Sequence, residues 1–459
     1  MLALLCAAAS AVCFYFSTDL GALWPLAWIA PVPVLWLAFG KTQGWTSFFA
    51  AWAASVLGGL NLLPAYLGSL PLPVLLIAIV LPGFCFAVSV MGARLVAQRI
   101  SPLAGVLAFA ALWTAWDYLG SLGPNGAAMS PAYSQVGAPF LIQGASVFGL
   151  WIVTFLLGFV SAGLAINLAT KWALPAFVAV ALFAINAGYG AWRIAEAPKT
   201  PSVRVGLGVD DHLASATFRA DETSALDIVR TYAATAHDLA AQGAELIVFP
   251  EKLAVLKPAW RGAALAELET AAHVTHTTIV IGFDDRSAER RNDALIFFAN
   301  GSPPAQYDKR HMVAGLESAF VPGHSSFMLA NHTAVAICKD MDFPQMLRSD
   351  SVLHPSSFAV PAWDFDQDRW WHARMAAMRG VENGFAVARA AKDGLLTLTD
   401  AYGRVIATKR SDADGMVTLV GELRRGPGNT PYARIGDAFA WLCLVLACLL
   451  PGWALRTRR

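Results

Sequence analysis

Long apolar stretches dominate the first 192 residues and recur once near the end. Runs near residues 1–16, 22–40, 47–68, 71–91, 103–120, 140–168, 172–192 and 436–454 predict about eight membrane helices. Between Met1 and Trp192 the only charged residues are Asp19, Lys41, Arg94, Arg99, Asp117 and Lys171. Such a segment cannot face water along its length. The first run lacks a basic start and further spans follow at once, so it reads as a retained helix rather than a cleaved signal.

The stretch from about Arg193 to Arg434 has the opposite character and carries all nine histidines. Alternating patterns there predict strands at "SVRVGLGV", "AELIVFPE", "TTIVIGF", "DALIFFAN" and "HTAVAIC". Helical periodicity marks "DETSALDIVRTYAATAHDLAAQ", opened by an acidic cap, then "AALAELETAAHVTH" and "DRWWHARMAAMRGVENG". "FAVARAAKDGLLTLTDAYGRVIAT" reads as a hairpin. Strands alternating with helices indicate a layered α/β domain. The expected division is 1–192 membrane region, 193–434 polar domain, and 435–459 a last span with a basic tail.

The positive-inside rule gives an orientation. Lys41, Arg94, Arg99, Lys171, Arg456, Arg458 and Arg459 all fall on one side of the expected spans. The opposite loops carry Asp19 and the Gly/Pro-rich "GSLGPNGAAMSPAYSQVGAP", without Lys or Arg. Both termini are therefore expected in the cytoplasm and the polar domain outside it, in the periplasm of a two-membrane bacterium. The net charge of +1 supplies no basic stripe for nucleic acid.

Of six cysteines, five lie in apolar runs; Cys338 alone lies in the polar domain, at the end of "TAVAIC". It is either a small buried residue or a reactive thiol. Its neighbours favour the second reading. Glu251 ends "LIVFPE", Lys309 follows "AQYD", and side chains beyond the ends of neighbouring strands converge in α/β sheets. A carboxylate to take the thiol proton, a lysine to stabilise thiolate and oxyanion, and the thiol itself suffice for acyl transfer through a thioester.

The order "FPEK … YDKRH … ICKDMDFP", then "RGVENGFAVARAAKDG" and "DAYGRV", resembles the nitrilase or carbon–nitrogen hydrolase superfamily. "GALWPLAWIAPVPVLWLAFG" and "YSQVGAPFLIQGASVFGLWIVTFLLGFV" resemble segments of the apolipoprotein N-acyltransferase family. The resemblance implies an α-β-β-α sandwich, a Glu251–Lys309–Cys338 triad, and Glu317 as a supporting carboxylate. It also implies a phospholipid acyl donor, a lipoprotein with a diacylglyceryl-cysteine N-terminus as acceptor, and no cofactor or metal. Four features depart from the family pattern. Lys339 and Asp340 stand where members usually carry Tyr and Glu, which makes both substrate-proximal candidates. Lys252 follows the base in place of a small or hydroxyl residue. Phe218 is the nearest aromatic to an expected early tryptophan, and no "PW" precedes "YSQ". These leave open a membrane-tethered amidase, a different amine acceptor, or a binding protein without turnover.

Several other residues have bland readings. His273 and His276 have a metal-like i, i+3 spacing but no third ligand, so a helix face is expected. Tyr133, Ser134 and Gln135 carry a family-like signature without assignable chemistry. Asp117 is an ionisable group near a membrane boundary, a position that marks either function or a loop edge.

Overall fold

Two compact units divide the chain: residues 1–197 with 434–459, and residues 198–433. The computed structural model describes residues 1–213 and 219–457. Phe218, Arg458 and Arg459 lie outside the described residues.

In the first unit six helices are long and apolar enough to cross a membrane: Gly44–Tyr66, Leu72–Arg99, Pro102–Ser121, Trp151–Thr170, Leu174–Ala195 and Ala438–Arg456. Shorter apolar helices lie at Leu2–Ser17, Trp24–Phe39 and Pro139–Phe148. Two expected spans are therefore not continuous. The 22–40 run breaks into Trp24–Ala27 and Val32–Phe39, because Pro31 and Pro33 withhold the amide donors a helix interior needs. The 140–168 run breaks at Gly144 and again at Gly149, whose φ of 71° lies in the left-handed region.

Polar side chains satisfy backbone carbonyls in and beside the short helices and at helix ends. Gln135 Nε2 donates to Trp24 O at 3.0 Å, and Trp28 Nε1 donates back to Gln135 Oε1 at 2.7 Å. Asn61 Nδ2 reaches Tyr15 O and Thr18 O, the carbonyls ending the first helix, at 2.9 and 2.8 Å. The Arg94 guanidinium donates to Ala38 O and Thr42 O at the end of Val32–Phe39. These bonds pair backbone carbonyls that an apolar setting would otherwise leave without a donor. The Tyr133–Gln135 signature, unassigned in the sequence, thus acts partly as a splint.

The second unit contains two sheets. The first runs β13 (Val417–Arg424), β1 (Ser202–Val209), β2 (Leu246–Val248), β4 (Thr278–Asp285), β5 (Arg291–Phe297), β6 (Ala305–Asp308), with β3 (Val255–Leu256) also on β4. The second runs β12 (Val405–Arg410), β11 (Leu395–Thr399), β10 (Ala386–Lys392), β9 (Ser357–Trp363), β8 (Thr333–Val335), β7 (Phe327–Met328). Period-2 alternation assigns the faces. In β4, Ile279, Ile281 and Phe283 pack with Ile228, Tyr232 and Leu268 of helices Glu222–Ala241 and Pro258–Thr275. Val280 faces inward, where Val205, Ile296, Ile337 and Ala388 fill the space between the sheets. Helix Arg369–Asn383 covers the second sheet through Ala376. The result is the expected α-β-β-α sandwich.

One core position conflicts with its surroundings. Asp293 is fully buried on the helix-facing side of β5, and neither carboxylate oxygen has a partner among the described residues. Burial, then the charges of Asp285 and Asp308, pushes its carboxyl well above the ordinary carboxylate range. A raised carboxyl favours the folded state only when protonated, so the penalty is absent in acid and grows above the unfolded-state value near 4. Asp293→Asn is expected to stabilise the protein by about 1–3 kcal/mol at pH 7. In thermal melts the gain should shrink as the pH falls toward 4; a pH-independent difference would contradict this account.

Candidate active site

Each residue of the predicted triad lies just past a strand of the sandwich. Glu251 follows β2, in a loop pressed so closely on β4 that a Cβ on Gly282 would sit 2.6 Å from Glu251 Cα. Only glycine admits that approach. Gly282 N donates to Pro250 O at 3.0 Å, and Leu253 N returns a bond to Gly282 O at 2.8 Å. Lys309 follows β6 directly and Cys338 lies three residues beyond β8. Cys338 has φ 41° and Lys252 has φ 49°, both left-handed values that cost a side-chain-bearing residue energy.

The structure brings Glu251, Lys309 and Glu317 together and buries all three to within 2% exposure. Lys309 Nζ donates to Glu251 Oε1 and to Glu317 Oε2, both at 2.8 Å. Asn292 Nδ2 donates to the same pair, at 2.6 Å to Glu251 Oε1 and 2.9 Å to Glu317 Oε1. Glu317 also accepts from Val313 N at 2.8 Å and Lys252 Nζ at 2.5 Å. Glu251 Oε2 is buried without a hydrogen-bond partner among the described residues. One oxygen of this carboxylate is therefore held and the other is free to accept a proton.

Burial alone would lower Lys309, but Glu251 and Glu317 more than offset it and hold the ammonium well above its ordinary value. Burial would raise Glu317, yet Lys309 and Lys252 keep its carboxyl well below the usual range. Burial pushes the Cys338 thiol up strongly, and the Glu251 charge raises it further; Lys309 and Arg389 pull the other way. The resting thiol is therefore protonated at neutral pH and needs a base.

Around this centre lie residues that the sequence reading did not select. Cys338 Sγ–H donates to Trp363 O at 3.4 Å. The indole of Trp363 lies against two ammonium groups, Lys392 Nζ at 3.5 Å and Lys252 Nζ at 5.2 Å from the ring centroid. Burial and the charge of Lys252 lower the Lys392 amine to about 7. Asn292 was missed because a polar residue in a strand normally reads as solvent-facing. Its available signal was phase: it alternates with the buried apolar positions Ala294 and Ile296.

Lys339 and Asp340 are both buried. Lys339 Nζ lies 3.7 Å from Asp342. Asp340 accepts from Tyr307 Oη at 2.7 Å, His311 N at 2.9 Å, and Arg310 N and Ile337 N at 3.1 Å. It ties the turn bearing Cys338 to the segment after Lys309. His276 ends its helix in a left-handed conformation. Asp364, Asp368 and His372 do bring ligand-type atoms within 4.8 Å of one another. Arg389 forks onto Asp364, however, and Asp368, 2.9 Å from His372 Nε2, offsets burial to hold that imidazole up at about 9. An arginine and an imidazolium make this an ion-pair network rather than a metal cradle.

Comparison with known proteins follows the same two parts. Residues 10–163 match the family described as apolipoprotein N-acyltransferase N-terminal domain, and residues 213–425 match carbon-nitrogen hydrolase. The chain is 27% identical over 493 residues to an apolipoprotein N-acyltransferase of Azotobacter vinelandii, covering 95% of this chain and 92% of that protein. It is 24% identical to one of Haemophilus ducreyi over 95% of this chain and 93% of the other. Among solved structures, a Nesterenkonia amidase of the nitrilase superfamily is 20% identical with a TM-score of 0.43, covering 54% of this chain and 98% of that one.

Proposed function

We propose that the chain is a member of the apolipoprotein N-acyltransferase family, whose N-terminal domain and carbon-nitrogen hydrolase models match its two parts, and that it moves a fatty acyl chain from a phospholipid, through a thioester on Cys338, to the N-terminal amine of a lipoprotein. The observation that carries the proposal is the Lys309 ammonium clamped between Glu251 and Glu317, with Glu251 Oε2 left over.

In the first half-reaction Glu251 Oε2 takes the Cys338 proton and the thiolate attacks the acyl-ester carbonyl. Lys309 stabilises the oxyanion that forms. The oxyanion collapses, the ester C–O bond breaks, and Glu251 returns its proton to the departing lysophospholipid oxygen. In the second half-reaction the incoming ammonium gives one proton to solvent and the neutral amine attacks the thioester carbonyl; Glu251 takes a second proton from the attacking nitrogen, the C–S bond breaks, and Glu251 returns that proton to the departing Cys338 sulfur. Glu317 holds Lys309 charged and aimed through both steps, and Asn292 holds Glu251 Oε1. No cofactor is invoked, because the donor ester is already activated.

The six membrane-length helices agree with a lipid donor that never leaves the bilayer. The positive-inside rule supports a reading with both termini in the cytoplasm and the sandwich in the periplasm.

The test is mass spectrometry of the purified protein after brief incubation with phospholipid. The expected result is a fatty-acyl mass on the Cys338 peptide, removed by hydroxylamine and absent from Cys338→Ala. Adding a diacylated lipopeptide should then discharge it as an amide. Folded protein without an adduct would overturn the mechanism. Fatty acid released equally fast without the lipopeptide would assign the site to a hydrolase.

A further inference from the structure

The buried carboxylate of Asp293 takes no part in acyl transfer, yet it stands beside a cavity that nothing in the triad uses. Its side chain is on the outward face of β5, two residues along from Arg291 and directly across the ladder from Asp308. Arg291 and Asp308 both line a cavity of about 420 Å3, together with Asp285, Glu289 and Gln306. Among its charged neighbours, Asp285 and Asp308 act on Asp293 most strongly. The carboxylate therefore lies at the floor of that cavity.

Charge is not balanced there. Asp285, Glu289, Asp293 and Asp308 bring four carboxylates together, and two guanidiniums answer them. Arg261 Nε meets Asp285 Oδ2 at 2.8 Å, while Arg291 meets Glu289 Oε2 at 2.7 Å and lies 3.5 Å from Asp308 Oδ2. Gln306 Nε2 donates to Asp308 Oδ1 at 2.7 Å. Neither Asp293 oxygen has a hydrogen-bond partner among the described residues, although the residue is fully buried. A formal surplus of two negative charges remains. This separates the cluster from Asp364 and Asp368, which already carry an arginine and an imidazolium. Like charges directly opposite on paired strands are destabilising. A divalent cation removes that cost, because carboxylate oxygens are its natural ligands, and Mg2+ commonly binds through one or two carboxylates while keeping several waters.

We propose that this cavity holds a hydrated divalent cation, with Asp293 and Asp308 as its carboxylate ligands and water completing its shell. The ion ties β5 to β6, the strand that leads directly into Lys309. Its role is structural, and it rests on no step of acyl transfer.

The experiment is thermal melting of the full chain in detergent, first in EDTA and then with MgCl2 or CaCl2. At about 100-fold above its dissociation constant, the bound ion is expected to raise the melting temperature by about 5–10 °C. Asp293→Asn should melt higher than the parent in EDTA, because the unpaired charge is gone, and should gain almost nothing from either ion. Asp308→Asn, at a partly exposed side chain, should lose most of the response and serves as the second variant if the core substitution disturbs folding. NaCl at matched ionic strength measures screening alone. No rise in the parent, an equal rise with NaCl, or an undiminished divalent response in folded Asp293→Asn protein would overturn the proposal.

Discussion

Lys309→Met is expected to abolish acyl-enzyme formation and to destabilise the protein by about 3–5 kcal/mol, the scale of removing one partner from a buried ion pair. The reason is charge balance. Glu251 and Glu317 are both buried, and the lysine meets each at 2.8 Å. Methionine fills much of the volume but leaves two carboxylates facing each other, with Lys252 their nearest remaining cation, 2.5 Å from Glu317 and 3.6 Å from Glu251. The double variant Lys309→Met/Glu317→Gln removes one negative charge and should recover much of the melting temperature without recovering activity. Denaturant titration beside the acylation assay separates the two effects. A single variant as stable as the parent would contradict the burial argument.

Glu251→Gln is expected to behave in the opposite way: intact fold, lost chemistry. The glutamine carbonyl can take the place of Oε1 and keep the bonds from Asn292 and Lys309, while Glu317 still balances the lysine. The amide puts an N–H₂ where Oε2 was, so nothing accepts the thiol proton. Acylation should slow by about 10²–10⁴-fold, the usual worth of a general base. A second readout distinguishes this from general damage. Burial and then the Glu251 charge raise the Cys338 thiol. Removing that charge should lower the thiol, so the pH profile of alkylation by iodoacetamide should move to lower pH even though acylation fails. A profile that stays put would mean that Glu251 does not face the thiol closely enough to act as its base.

The triad was legible because each member follows a strand within a short motif, and strand ends are where layered α/β proteins collect chemistry. Its clamp was less so. Glu317 could be named, but its bond to Lys252 depends on a left-handed residue that no pattern announces. Asn292 and Trp363 contribute through the register of β5 and a backbone carbonyl of β9, which side-chain identity does not encode. The membrane breaks were legible in part. Pro31 and Pro33 are readable stops, but an average over 19 residues hides them, and hydropathy is blind to whether a run is one helix or two.

β1 and β13 pair antiparallel, with Ser202 opposite Arg424, and Arg425 N donates to Pro201 O at 3.0 Å. The sandwich therefore begins and ends at a single doorway. A fold whose two chain ends leave side by side can be spliced into a short link between consecutive helices of another protein without stretching either one. The same geometry lets a self-sufficient soluble sandwich acquire two tethers in one insertion event, which makes the pairing of this chemistry with a membrane scaffold a small evolutionary step.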